Sequence, residues 1–205
     1  MPSDFDARAR TWDDDPAKVQ RARAVAEAVR AAVPLGPATR VLEYGAGTGL
    51  VSQALTGDVG AVTLADPSEG MRAVIAEKVA TGALPSASEV WALDLAVDPV
   101  PAERFDLVVT VMTLHHIPDV SPVLRGFARL LSEGGHLCVV DLEEEDGSFH
   151  RHNPDFDGHD GFRRDALAAE LEAAGFTDVR FEQCFEIEKD GGTYPLFLAT
   201  ARLDA

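Results

Sequence analysis

The sequence has few basic residues for its length. Among 205 residues, 18 are Lys or Arg and 35 are Asp or Glu, which gives a formal net charge of −17. No dense cluster of Lys and Arg reverses this sign locally, so the surface is expected to repel phosphate backbones and anionic lipid headgroups. We therefore expect neither nucleic acid nor a membrane as a partner.

Cysteines and long apolar runs are also scarce. Cys138 and Cys184 lie far apart in apolar or aromatic segments, which argues against a disulfide framework and against C-x-x-C chemistry. The longest nearly apolar stretch, residues 107–114, is far shorter than the roughly 20 residues that span a bilayer. The start M-P-S-D-F-D is acidic where a signal peptide has a basic region. These features predict a cytoplasmic protein.

Apolar strands that alternate with helical segments predict an α/β fold. A first helix is expected over residues 13–33, with Asp15 as N-cap and Pro16 in the first helical position. Strands that are apolar on both faces imply a parallel sheet covered by helices. The strand candidates are R-V-L-E-Y, A-V-T-L-A-D, E-V-W-A-L-D, F-D-L-V-V-T-V and G-H-L-C-V-V-D-L.

The last third of the chain departs from this alternation. An acidic loop over residues 143–161 precedes a helix over 163–174, which Gly175 ends. Two further strands are joined by a short Gly191-Gly192 turn, and so short a turn makes them antiparallel. We predict a single domain over residues 1–205, with a helical lead-in at 1–37 and an α/β core at 38–201.

The first strand leads into a glycine-rich turn, E-Y-G-A-G-T-G at residues 43–49. Alternate glycines allow a ligand to approach the backbone closely. A dinucleotide fingerprint would need Gly or Ala where Leu50 stands, and the Gly-Lys-Ser/Thr of a P-loop is missing. The Glu43 carboxylate suits a cationic ligand better than a pyrophosphate. The turn alone leaves three possibilities: a site for such a ligand, another nucleotide site, or a tight turn without a ligand.

Carboxylates follow the second and third strands. Asp66 ends the second strand, where it could accept hydrogen bonds from a ribose diol. Asp94 ends the third and could accept from an exocyclic amine, with Leu95 and Met71 as apolar walls for a purine ring. Strand ends of a parallel sheet meet at one edge, so these groups are expected to form one site.

These motifs resemble those of class I S-adenosylmethionine-dependent methyltransferases of the small-molecule type, over roughly residues 38–201. The resemblance implies a Rossmann-like sheet of seven strands, mostly parallel with the last strand antiparallel, and helices on both faces. It implies S-adenosylmethionine as cofactor and methyl transfer to an O, N, S or C nucleophile. The implied cofactor-binding residues are Glu43, Gly45, Ala46, Gly47, Gly49, Asp66, Pro67, Met71, Asp94, Leu95 and Val111. One departure is Glu133, where the family's L-x-P-G-G turn has Pro.

His115 and His116 follow the fourth strand, where a base could take a proton from the acceptor. They are the predicted catalytic residues. Because transfer from a sulfonium needs mainly alignment, a base is optional. The alternative is that these histidines cap a helix or pack beneath a loop.

The 143–161 loop contains several histidines and aspartates. The H-x-H at residues 150–152 and the following D-x-D have no recognised ligand spacing, so no metal is predicted. In resembling methyltransferases this loop lies over the active site, so Phe149, His150 and His159 are candidate substrate contacts. Trp12 is a candidate lid residue near the sulfonium or substrate; its alternative role is to pack the lead-in onto the core.

Two other functions remain open. A nucleotide-dependent oxidoreductase, using NAD, could be built on a similar sheet, although Leu50 argues against it. A non-catalytic cofactor-binding protein would retain the same binding residues. The acidic composition favours a neutral or cationic small-molecule acceptor, and the oligomeric state is left open.

Overall fold

The computed structural model describes residues 4–204, so residues 1–3 and 205 of the predicted single domain lie outside the described residues. The described chain contains one seven-stranded sheet. Its strands are β1 (Val41–Tyr44), β2 (Val62–Ala65), β3 (Glu89–Trp91), β4 (Phe105–Val111), β5 (Leu131–Leu142), β6 (Phe176–Lys189) and β7 (Gly192–Leu203). They are ordered β3-β2-β1-β4-β5-β7-β6.

Six α-helices and two short 3-10 helices connect or precede these strands in the described part of the chain. The α-helices are α1 (Asp4–Arg8), α2 (Pro16–Ala32), α3 (Leu50–Ala54), α4 (Glu69–Thr81), α5 (Ser121–Leu130) and α6 (Arg164–Ala173). The 3-10 helices are Ala9–Asp14 and Leu114–His116. Among residues 4–204, no helix combines the length and apolar character needed to cross a membrane.

The N-terminus of α2 has the predicted cap. The Asp15 carboxylate accepts a hydrogen bond from Ala17 N at 3.0 Å, and Pro16 occupies the first turn. Pro fits there because that backbone nitrogen needs no helical partner. The predicted helix boundary at Asp13 is earlier than the observed one, since residues 9–14 form a separate 3-10 helix.

Helices cover both faces of the sheet. One face packs against α5 and α6, with Phe127 and Leu171 fully buried in that layer. The other packs against α2, α3 and α4, with Val25 and Ile75 fully buried there. The predicted fold, a mixed Rossmann-like sheet between two helical layers, is confirmed.

The C-terminal hairpin makes the sheet mixed. β7 pairs antiparallel with both β5 and β6, while β1, β2, β3, β4 and β5 pair in parallel. Asp190 and Gly191 turn the hairpin with φ angles of 51° and 80°, the left-handed pair of a type I′ turn. β7 lies between β5 and β6. The carboxyl ends of the parallel strands lie at one edge of the sheet, and the candidate site lies at this edge.

Candidate active site

The glycine turn after β1 uses its three glycines for two different purposes. All three have positive φ, at 69° for Gly45, 55° for Gly47 and 78° for Gly49. A Cβ on Gly45 would lie 2.2 Å from Thr113 Oγ1, and one on Gly49 would lie 2.7 Å from Leu64 Cδ2. A Cβ on Gly47 would meet nothing nearer than Trp12 Nε1, at 3.9 Å. Gly45 and Gly49 therefore permit packing, whereas Gly47 leaves an open backbone face.

Asp66, at the end of β2, is bonded directly to this turn. Its carboxylate accepts hydrogen bonds from Gly47 N and Ser68 N, both at 2.8 Å. The side chain is buried, and burial raises the pKa of Asp66 above its usual value. The carboxylate thus fixes the turn and lies beside the open face of Gly47. Its neighbour Pro67 is exposed.

Tyr44 connects β1 to the segment after β3. The Tyr44 hydroxyl accepts a hydrogen bond from Leu95 N at 3.0 Å. Burial, followed by the nearby Asp94 carboxylate, raises the pKa of Tyr44. Asp94 is half-buried and accepts from Ala96 N at 3.0 Å. The structure therefore brings the ends of β1, β2 and β3 together, and Tyr44 is a site residue that the sequence reasoning missed.

The apolar candidates differ in their environments. Met71 and Leu95 are buried, with Met71 N donating to the Ser68 side chain at the start of α4. Ala46 is buried beside α3, and its backbone N donates to Ala65 O. At the end of β4, Val111 O accepts from Thr113 Oγ1 at 3.1 Å. All lie close to the glycine turn or to the strand ends beside it.

The Glu43 carboxylate contacts the start of α3. Its carboxylate is buried and accepts hydrogen bonds from Ser52 N, at 2.9 Å, and from the Ser52 hydroxyl. A carboxylate at a helix N-terminus satisfies unpaired N–H groups and the helix dipole, so Glu43 anchors α3 to β1. Burial raises the pKa of Glu43 to about 7. The predicted interaction of Glu43 with a cationic ligand stays a prediction beside this structural role.

His115 forms a buried pair with a residue that the sequence reasoning did not identify. Asp141, near the end of β5, is completely buried, and its Oδ1 lies 2.5 Å from His115 Nδ1. Burial acts to raise the pKa of Asp141, but the nearby His115 and its hydrogen bonds hold that pKa below its usual value. The available signal was a lone aspartate in the otherwise apolar C-V-V-D-L strand.

Two further imidazoles lie beside His115. The ring centroids of His116 and His150 are 4.1 Å and 5.2 Å from that of His115. The pKa of His116 is lowered to about 3, first by desolvation and then by the neighbouring imidazoles, although part of its ring is exposed. Burial and His115 likewise lower the pKa of His150 to about 4. Both rings are therefore neutral at pH 7.

The 143–161 loop lies over the 3-10 helix that carries His115 and His116. His159 N donates to His115 O at 2.7 Å, and the His159 Nε2 bonds to Ile117 O at 3.0 Å. His159 thus fastens the loop rather than facing the three imidazoles. Phe149 is buried between the rings of His150 and Tyr194, so it packs the base of the loop.

The lead-in segment covers the glycine turn and α4. Asp13 bonds to the Thr48 hydroxyl and to Lys78, at 2.5 Å and 2.6 Å. Asp6 accepts from Ser68 Oγ and from Gly70 N, at 2.5 Å and 2.8 Å. Both carboxylates hold residues 4–14 against the strand ends.

Two aromatic residues of the lead-in extend this cover. Trp12 lies over Gly47, and Phe5 lies between Trp12 and His116, with ring centroids at 6.0 Å and 5.4 Å. Lys18 and Arg8 approach the Trp12 ring at 4.6 Å and 5.1 Å. The lead-in therefore reaches from the glycine turn to the histidines.

A seven-stranded sheet of this order, with a glycine turn after β1 and carboxylates after β2 and β3, is that of a class I S-adenosylmethionine-dependent methyltransferase. The family model described as "Methyltransferase domain" matches residues 17–180. The chain belongs to this methyltransferase family, and the resemblance seen in its motifs is confirmed.

Individual proteins agree with this assignment. The ubiquinone/menaquinone biosynthesis C-methyltransferase UbiE of Xanthomonas oryzae is 32% identical over 111 residues, which are 53% of this chain and 44% of that protein. The chain thus spans about half the length of the curated relatives it matches.

Solved structures show the same fold. A methyltransferase in complex with the Trm112 methyltransferase activator of Haloferax volcanii has a TM-score of 0.78 at 18% identity, with both chains fully covered. The N-methyltransferase NodS of Bradyrhizobium japonicum, in complex with S-adenosylhomocysteine, has a TM-score of 0.71 at 20% identity, covering 96% of this chain and 91% of NodS.

Proposed function

We propose that this protein transfers a methyl group from S-adenosylmethionine to a small-molecule acceptor in the cytoplasm. The observation that carries the proposal is the meeting of three strand ends: the open Gly47 face, the Asp66 carboxylate bonded to Gly47 N, and Asp94 beside Tyr44. Relatives named as methyltransferases, one of them solved with S-adenosylhomocysteine, support the choice of cofactor.

The residues at these strand ends fit the chemistry of that cofactor. Asp66 offers carboxylate oxygens to a ribose diol next to a backbone that no Cβ covers. Asp94 has the acceptors that an exocyclic amine needs, and Leu95 and Met71 supply apolar surface. When bound, S-adenosylmethionine supplies an electrophilic methyl group on a sulfonium.

The acceptor side of the site is formed by His115, His116 and the 143–161 loop. Methyl transfer depends mainly on alignment and exclusion of water. Of the two predicted catalytic residues, we propose that the exposed His116 contacts and aligns the acceptor, and that His115, buried against Asp141, supports it from behind. With a pKa of about 3, His116 is a weak base and suits a contact role.

The lead-in is proposed to act as a lid over this site. Trp12 over Gly47 and Phe5 against His116 place its aromatic residues across both the cofactor side and the acceptor side. The described part of the lead-in, residues 4–37, would then close one catalytic unit whose core is residues 38–201. A closing segment excludes water from the reacting groups, which is the usual effect of such lids.

The test is a turnover assay with a matched control. The protein is incubated with S-adenosylmethionine and a panel of phenols, amines, thiols and quinols, together with anionic analogues, and S-adenosylhomocysteine is measured by mass spectrometry. Acceptor-dependent product is expected from the wild type, with a strong loss in Asp66→Asn and little change in Asp58→Asn, which alters a half-buried carboxylate paired with Arg30. Cofactor binding without product from any acceptor would favour a non-catalytic binding protein, and binding of NAD alone would favour an oxidoreductase.

A further inference from the structure

Three histidines from two separate segments converge on the acceptor side of the site. His115 and His116 end the 3-10 helix after β4, and His150 comes from the 143–161 loop. One ring nitrogen of each lies within 4.8 Å of the others. Three imidazoles with a fourth position left open are a ligand set of catalytic zinc sites. We infer that His115, His116 and His150 bind a divalent transition-metal ion.

The His150 ring has a nitrogen that lacks a protein partner. Its Nδ1 is buried and makes no hydrogen bond to any described residue. A buried polar atom without a partner costs about 1–3 kcal/mol, and a metal ion would satisfy it. Phe156 stacks on the ring at a centroid distance of 3.7 Å and an angle of 11°, which holds the imidazole in place. The orphaned nitrogen is thus part of an ordered ring.

Asp141 prepares His115 to act as a ligand. The short contact between Asp141 Oδ1 and His115 Nδ1 places the ring proton on Nδ1, so Nε2 keeps its lone pair. Asp141 is itself held by Leu142 N at 2.8 Å. A carboxylate that orients a histidine from behind is the usual second partner of a metal-bound imidazole. Its negative charge also offsets part of the charge of the ion.

The spacing of the three rings requires only a small closure. Zinc–nitrogen bonds of 2.0–2.1 Å in a tetrahedral site put ligand nitrogens about 3.3 Å apart, so the present limit of 4.8 Å must fall by about 1.5 Å. His116 is the ring that can move, because it is the exposed one of the three.

Sequence spacing could not reveal this ligand set. The histidines of the loop were considered together, yet His152 is exposed and pairs with Asp190 at 3.2 Å. His159 is bonded to Ile117 O. The prediction of no metal considered only the histidines and aspartates of the loop. Folding of the loop onto the 3-10 helix instead brings His150 beside His115 and His116.

The role of the ion rests on the proposed function, whereas its binding does not. A divalent ion here would coordinate an oxygen or nitrogen of the acceptor and lower the pKa of that group, with the proton released to solvent water. The site is close to the glycine turn, since Thr113 Oγ1 lies 3.4 Å from Gly45 O.

Metal binding is tested on full-length protein freed of any affinity tag. The protein is stripped with chelator, loaded with Zn²⁺ or Co²⁺, gel-filtered and analysed for metal content, and the visible absorption of bound Co²⁺ is recorded. About one equivalent is expected. His150→Ala and the bulkier His150→Gln should each weaken binding at least tenfold, Asp141→Asn about 10–100-fold, and His152→Ala should have no effect.

Retention of less than a tenth of an equivalent by the wild type would overturn the inference. So would equal loss in His152→Ala, which would indicate adventitious surface binding, or full retention in both His150 variants. Binding of S-adenosylhomocysteine is measured in parallel. If the wild type does not bind it, the proposed function is refuted, and metal binding is judged separately.

Discussion

Alanine substitutions at Gly47 and Gly49 should separate cofactor binding from folding. Both residues lie in the same turn, and both have positive φ, at 55° and 78°. A methyl group at Gly49 would enter the core, 2.7 Å from Leu64 and 3.3 Å from Leu84. A methyl group at Gly47 would enter the space that we assign to the ligand. Each variant is therefore the control for the other.

The structure sets the expected sizes of the two effects. A left-handed backbone costs an L-residue about 1–2 kcal/mol, and this penalty is shared by both variants. Overpacking at Gly49 adds about 1–3 kcal/mol. For a chain of this size about 2–4 °C in Tm corresponds to 1 kcal/mol, so Gly49→Ala should melt about 2–12 °C below Gly47→Ala.

Binding should show the opposite order. S-adenosylhomocysteine should bind Gly47→Ala at least about tenfold more weakly than wild type, a loss of about 1.4 kcal/mol. The folded fraction of Gly49→Ala should keep its affinity within about threefold. Calorimetric titration and thermal unfolding without ligand measure the two quantities. Unchanged affinity in Gly47→Ala would refute the assignment of the open glycine face to the cofactor.

Three further predictions concern single side chains. Burial raises the pKa of Glu43 from 4.5 to about 7, so the folded state holds this proton more tightly than the unfolded state. The free energy of unfolding should therefore fall as pH rises from about 4.5 to 7, by up to about 3 kcal/mol. Glu43→Gln should lack this part of the pH dependence. Free energies of unfolding that change with pH in the same way in both proteins would contradict this prediction. In Trp91→Phe, which leaves Trp12 as the only tryptophan, cofactor addition should change the fluorescence; no change would argue against the lid. Asp141→Asn should lower turnover more than Asp119→Asn, which alters an exposed carboxylate. Equal turnover by the two variants would show that Asp141 is not part of the active site.

Much of the fold could be predicted because its signals are local. The Asp15-Pro16 start of α2 and the tight turn between β6 and β7 depend on a few adjacent residues, whose backbone preferences act wherever they occur. The turn lies at Asp190-Gly191, one residue before the predicted Gly191-Gly192. Boundaries were less accurate. β5 begins at Leu131 rather than near Gly135, because Leu131 pairs with Phe105 of β4, a contact between distant residues.

From the sequence, the candidate site could be predicted only for residues at the ends of the parallel strands. Asp66 and Asp94 follow strands, and parallel strands bring their ends to one edge. Glu43 lies near the end of β1 by the same rule, but its contact with the unpaired N–H of Ser52 in α3 could not be predicted.

The remaining contacts depend on tertiary packing. His150 meets His115 through the fold of a long loop, and Asp141 looked like any other residue of a strand. Spacing along the chain carries no information on such contacts.

Calorimetric titration of the wild type and Asp66→Asn with S-adenosylhomocysteine, and separately with NAD, tests the central claim most directly. The account predicts one equivalent of S-adenosylhomocysteine on the wild type, at least about tenfold weaker binding by Asp66→Asn, and no binding of NAD by either. Binding of NAD without S-adenosylhomocysteine, or equal affinity of both proteins for S-adenosylhomocysteine, would contradict it.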